Sequence, residues 1–179
     1  EGMVISSFAG LRPLVTSGPD GAPPSDIGRE HRIDRTADGV ITVSGGKYTT
    51  HRLVAEKVVD EVVAILPPGR YVPCCTKEFP LPGAEGPLTS EEVKKRLGAT
   101  GLAEDTVEHL LSTYGTRSLD VVAELENDPS GAAKICPFHP HIAAEIDFAV
   151  RTEHARTPSD WRFRRTAIGY GKHLGECCE

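Results

Sequence analysis

The sequence predicts an α+β chain, with short strands and one helix in its first third and an all-helical second half. Three observations predict this. Extended β-branched runs separated by turn residues recur up to residue 43, an apolar spacing of three and four takes over from residue 53, and helix start signals repeat beyond residue 88.

Residues 3–8 form a short apolar run expected to be extended, and "TSGPDGAPPSD" after it holds too much Gly, Pro and Asp for regular structure. Residues 27–33 and 40–43 read as two strands joined through "DRTADG", whose Asp-Gly step is a hairpin signal. Leu53, Val54, Val58, Val59, Val62, Ile65 and Leu66 then share one helical face, and Pro67, Pro68 and Gly69 end that helix. Residues 67–88, rich in proline and glycine, read as an extended surface linker.

Beyond the linker the pattern is helical. Thr89 or Ser90 caps "TSEEVKKRL", whose early acids suit the helix dipole. Further helices are expected over residues 103–114, 118–126, 139–154 and 158–166, the last opened by Thr157, Pro158 and Asp160. The expected organisation is 1–66, mixed α/β; 67–88, linker; and 89–179, an all-α domain.

The chain has 179 residues and a formal charge of -6, from 20 Lys+Arg against 26 Asp+Glu, so no broad basic surface points to nucleic acid. It holds no apolar run of about 18 residues and no signal-peptide order at its start, which predicts a soluble chain in a reducing, cytoplasmic compartment. The opening "EGMVISSFAG" reads as a piece of something longer. Cys74, Cys75, Cys136, Cys177 and Cys178 are an odd set with two adjacent pairs, so free thiols are expected rather than a disulfide framework. Cys136, Cys177 and Cys178, with His139, His141 and His173, follow no zinc or iron-sulfur spacing, and no metal site is assigned.

The stretch that suggests chemistry is "SGGKYTTHR", residues 44–52. Two glycines let backbone amides approach a ligand, a helix start aims unsatisfied N–H groups the same way, Lys47 adds a charge, and Thr49 and Thr50 add hydroxyls. Such a turn suits an anion. It is not a P-loop, because Ile41 stands where that motif needs its first glycine. Arg12 in "AGLRPLV" sits at a stiff strand end, and "GREHRID" places Arg29, His31 and Arg35 on one side of a strand with Arg32 on the other. Arginine binds phosphate through a planar fork at any working pH. In the helical half, Glu145, Arg151, Glu153, Arg164 and Arg165 read as ion pairs and solvated faces, and Trp161, Phe163 and Tyr170 as core packing or contact with an absent domain rather than a ligand box.

The collinear elements "GLRPL", "GREH" and "GVITVSGGKYTTHRLVAE", followed by "AAEIDFAVRTEHARTPSDWRFRRT", resemble the C-terminal part of the FAD-dependent glycerol-3-phosphate dehydrogenases and their oxidase relatives. The resemblance implies oxidation of sn-glycerol 3-phosphate at C2 to dihydroxyacetone phosphate, with hydride passing to the flavin and electrons to quinone or oxygen. It implies that Arg12, Arg29, Lys47 and Thr49 bind substrate. It also implies that Gly45, Gly46, Lys47, Tyr48 and Thr49 meet the cofactor, their amides facing the flavin N1/C2=O region. His51 stands where such proteins often have tyrosine. The G-x-G-x-x-G fingerprint is absent from these residues, as is the segment that would carry a histidine base, so neither His31 nor His51 takes that role. The chain alone is therefore expected to be inactive and largely without FAD. Its expected partner is the missing N-terminal part of the same polypeptide, with peripheral contact at the inner face of the membrane and a homodimer left open. The alternative is a stand-alone helical interaction module without catalysis.

Overall fold

A computed structural model describes residues 4–11, 15 and 30–171. The chain divides into two compact units, one of residues 9–79 and one of residues 1–8 with 80–179.

In the first unit, β1 (His31–Arg35) and β2 (Ile41–Gly45) form an antiparallel hairpin in which His31 faces Gly45 and Arg35 faces Ile41. The Asp-Gly step makes the turn: Gly39 has φ 89°, its amide donates to the Thr36 carbonyl at 3.0 Å, and the Thr36 amide donates to Val40 O. The strand expected over 27–33 is seen from His31, since residues 27–29 lie outside the described residues. A single 3₁₀ turn, Tyr48–Thr50, leads into α1 (His51–Ile65), and Pro67 follows directly on Leu66, whose extended backbone ends the helix. Among the described residues of this unit none is buried. Leu53, Val59, Val62 and Leu66 of the apolar face of α1 stand in solvent together with Val40 and Val43 of the hairpin.

The helical unit is built by α2 (Ser90–Gly98), α3 (Glu104–Tyr114), α4 (Ser118–Ala123), α5 (Ala144–Thr152) and α6 (Pro158–Asp160). Thr89 caps α2 through a full capping box with Glu92, and Thr157 does the same for α6 with Asp160. Val93 and Leu97 of α2, Val107 and Leu110 of α3, Val121 of α4 and Phe148 of α5 interdigitate in one core, while Cys136, Ala149, Ala155, Trp161 and Ile168 form a second.

Two expectations are corrected here. Residues 4–8 form no strand; Val4 and Phe8 are exposed, and among the described residues no strand pairs with the run, though the Phe8 ring meets Tyr170 at 5.9 Å. The helix expected over 139–154 begins only at Ala144. Pro137 and Pro140 cannot donate, and the intervening backbone pairs with itself instead, Ile135 N donating to His141 O and Ala143 N to Ala133 O, both at 3.0 Å. After α6 the helix widens into a π turn, Trp161–Arg165, closed by Thr166 N on the Trp161 carbonyl at 2.9 Å.

Candidate functional site

The glycine turn carries the geometry that its residue types call for. Gly45 and Gly46 have φ of 70° and 97°, and a Cβ on Gly45 would lie 2.7 Å from the Val15 side chain and 2.8 Å from the Glu30 carbonyl. Only glycine fits there. Lys47 then returns to extended backbone, and the chain coils: Thr50 N and Thr50 Oγ1 both donate to Lys47 O, at 3.1 and 3.0 Å, and His51 Nδ1 lies 2.9 Å from Tyr48 O. The Tyr48 and His51 rings stack at 5.5 Å.

No side chain caps this helix start, and neither the 3₁₀ turn nor the first turn of α1 carries an acidic residue. The amides of Tyr48 and Thr49 precede any in-helix acceptor, so among the described residues no acid of the first turn and no capping side chain offsets the partial positive charge of the helix end. Lys47, Tyr48 and Thr49 are exposed, and Lys47 pairs with no acid among the described residues. An open, electropositive, glycine-lined helix start fits the electron-rich edge of a flavin or a phosphate. Arg12 and Arg29, the other two residues expected at the site, lie outside the described residues. The hairpin brings His31 beside the turn, its Cβ 3.5 Å from where a Cβ on Gly46 would stand, while Arg32 spends its charge on Asp34 at 2.8 Å.

A second polar centre was missed by the sequence reading. Glu145 does not lie on a solvated face: its side chain is fully buried, and that expectation is corrected. Oε2 accepts from the Tyr114 hydroxyl at 2.9 Å and lies 2.9 Å from His109 Nε2 and 3.2 Å from His141 Nδ1, while Oε1 accepts from Ile142 N at 2.8 Å. Burial pushes the carboxyl up, but the contacts with His109 and His141 outweigh it and bring it down to about 2. Burial and the Glu145 charge push the Tyr114 hydroxyl well above its usual range, so it stays a donor. The signal was present in the spacing, because Glu145 shares a helical face with Phe148 and Ala149. Of the other charged residues, Arg151 pairs with Glu124 at 2.6 Å and Arg164 with Asp160 in largely exposed pairs, as expected, and Arg165 pairs with half-buried Glu153. Cys74 and Cys75 are exposed free thiols and the Cys136 side chain is buried; Cys177 and Cys178 lie outside the described residues.

Comparison with known proteins places the sequence in a family. The model of the C-terminal domain of alpha-glycerophosphate oxidase matches residues 74–176, more than half of the chain. The chain belongs to that family. Over 90% of its length it is 39% identical to a glycerol-3-phosphate dehydrogenase of Synechocystis sp., and over 96% it is 35% identical to glycerol-3-phosphate dehydrogenase 2 of Mycobacterium bovis. It is also 35% identical to the aerobic glycerol-3-phosphate dehydrogenase of Bacillus subtilis, over 91% of the chain. The resemblance read from "GLRPL", "GREH" and the glycine turn is thus borne out. The chain spans only about 30% of the length of these relatives, as a C-terminal portion. The family match covers the helical unit, and the relative aligned over 96% of the chain runs through the glycine turn as well. Among the described residues no helix is long and apolar enough to cross a membrane.

Proposed function

We propose that the chain is the C-terminal portion of a flavoprotein that oxidises sn-glycerol 3-phosphate to dihydroxyacetone phosphate and passes electrons to quinone or oxygen. The bound flavin supplies the acceptor for the hydride that leaves C2 of the substrate. This chain contributes charge and shape. The amides at Tyr48 and Thr49, with Gly45 and Gly46 clearing the approach, favour negative charge at the flavin N1/C2=O edge, and Lys47 adds to that field. Lys47 and Thr49 together with Arg12 and Arg29 hold the substrate phosphate and glycerol oxygens. No catalytic base comes from this chain.

The observation that carries the reading is the uncapped helix start at Lys47, open behind two positive-φ glycines. A second supports the fragment reading over a stand-alone helical module. The apolar side of α1 and the hairpin are exposed, and in this reading further sheet and helix of a longer polypeptide cover them. In this reading residues 1–66 complete the FAD and substrate domain, 67–88 link, and 89–179 form the all-α domain.

The test is a flavin titration of the 179-residue chain beside the longer gene product that contains it, with glycerol-3-phosphate-driven bleaching followed by absorbance. The longer protein should bind FAD and bleach, the chain alone should do neither, and Lys47→Ala in the longer protein should weaken flavin retention and raise KM. Bleaching by the chain alone contradicts the missing base. Unchanged flavin binding and KM in Lys47→Ala removes the role of the turn.

A further inference from the structure

We propose that His109, His141 and Glu145 form a binding site for a divalent transition-metal ion of the zinc class. The site lies in the helical unit and is independent of the flavin reading. Three different segments supply the ligands: α3 gives His109, the proline-bounded loop gives His141, and the first turn of α5 gives Glu145.

The ligand atoms, His109 Nε2, His141 Nδ1 and Glu145 Oε2, all lie within 4.8 Å of one another. Oε2 is 2.9 Å from one nitrogen and 3.2 Å from the other. A tetrahedral zinc ion with bonds of about 2.0–2.2 Å separates its ligands by roughly 3.4 Å, so the Glu145 oxygen already stands near ligand spacing from both nitrogens, and rotation of the imidazoles, moving a ring nitrogen by on the order of 1 Å, brings the two histidines together around the ion. Two imidazoles and one carboxylate are a zinc donor set that leaves a fourth position for water.

The ligands are also backed as metal ligands are. Thr113 Oγ1 lies 3.3 Å from the second nitrogen of His109, Ile142 N donates to the second oxygen of Glu145 at 2.8 Å, and the Tyr114 hydroxyl donates to Oε2 at 2.9 Å. Among the described residues no lysine or arginine pairs with Glu145, although the carboxylate is fully buried. A buried anion without a fixed cation is costly, and a divalent ion supplies the missing charge. Entry is open on one side, where the His109 side chain keeps 13% of its exposure.

The experiment uses the 179-residue chain with Cys74, Cys75, Cys177 and Cys178 changed to serine, which removes four of the five thiols as competing ligands. Cobalt is titrated after EDTA treatment and followed by visible d–d absorption, zinc is measured by competition with a chromogenic chelator, and folding is checked by far-UV CD. One equivalent of cobalt should give a tetrahedral-type spectrum that zinc abolishes. His109→Ala should lose the spectrum while keeping its helical CD, because Tyr114, His141 and Ile142 still satisfy Glu145. Tyr114→Phe should keep the spectrum and bind ~10-fold more weakly, as expected for a group that only supports a ligand. A folded parent chain without a cobalt spectrum overturns the proposal. A spectrum that survives His109→Ala overturns it too, since the ion is then held elsewhere.

Discussion

The Tyr114 hydroxyl donates to Glu145 Oε2 at 2.9 Å, joining α3 to α5 where Tyr114 is 7% exposed and Glu145 is fully buried. The Tyr114 ring also packs edge-on against Phe148 at 5.6 Å, so the same residue supplies core contact and a polar tie. A hydrogen bond to a charged group contributes about 1.5–3 kcal/mol. Tyr114→Phe keeps the ring and should lose that amount, while Glu145→Ala, which strands several donors, should lose about 3–5 kcal/mol. Urea melts followed by CD measure both. A Tyr114→Phe midpoint equal to that of the parent would show that the tie carries no stability.

Acid should weaken the helical unit through the same carboxylate. An ordinary glutamate titrates near 4.5 and Glu145 is brought down to about 2 in the fold, so the folded state holds the ionised form more firmly than the unfolded chain does. The groups facing it are His109, His141 and Tyr114, with the Ile142 amide. The stabilisation is complete above pH 4.5 and is lost progressively as pH falls towards 2. In EDTA, the urea midpoint of the parent should drop across that window by more than that of Glu145→Gln. Parallel profiles for the two proteins would assign the acid sensitivity to other groups.

Local chemistry made most of the fold legible. The capping box at Thr89 and Glu92, the Thr157–Pro158–Asp160 start, and the apolar spacing from Leu53 to Leu66 are signals that neighbours in sequence satisfy by themselves. The glycine turn was legible for the same reason, since two positive-φ positions demand glycine whatever surrounds them. Glu145 was not, because the residue types that draw it inward come from 31 and 36 residues earlier, Tyr114 and His109, and only folding brings them together. The late start of α5 was hidden likewise: the self-pairing of residues 133–143 competes with helix and leaves no periodic mark. The run over residues 4–8 has strand composition, but composition cannot supply a partner strand.

The thiols divide by burial. Cys74 and Cys75 are exposed, whereas Cys136 lies fully buried against Trp161 and Ile168 in the second core. With Cys177 and Cys178 changed to serine, a disulfide reagent should modify two thiols rapidly in the native protein and the third only in denaturant. Rapid modification of all three would show that the second core opens readily.

Gly115 offers the sharpest steric test. It ends α3 with φ 57°, and its backbone lies against that of Gly83, whose carbonyl accepts from Thr116 N at 2.8 Å. A Cβ on Gly115 would stand 2.0 Å from the Gly83 oxygen and 2.8 Å from its carbonyl carbon, and neither can move like a side-chain tip. Gly86 provides the control, with φ 97° and nothing within 4 Å of its Cβ position. Both substitutions to alanine bear the strain of positive φ, on the order of 1–2 kcal/mol. Only Gly115→Ala must also break the contact that fixes the start of the helical unit to the end of α3. It should therefore lose on the order of 3 kcal/mol or more, and the segment around Gly83 should become the preferred site of limited proteolysis. Gly86→Ala should leave the cleavage pattern unchanged. Equal losses in the two variants would mean that strain alone, and not the approach of Gly83, makes glycine necessary at position 115.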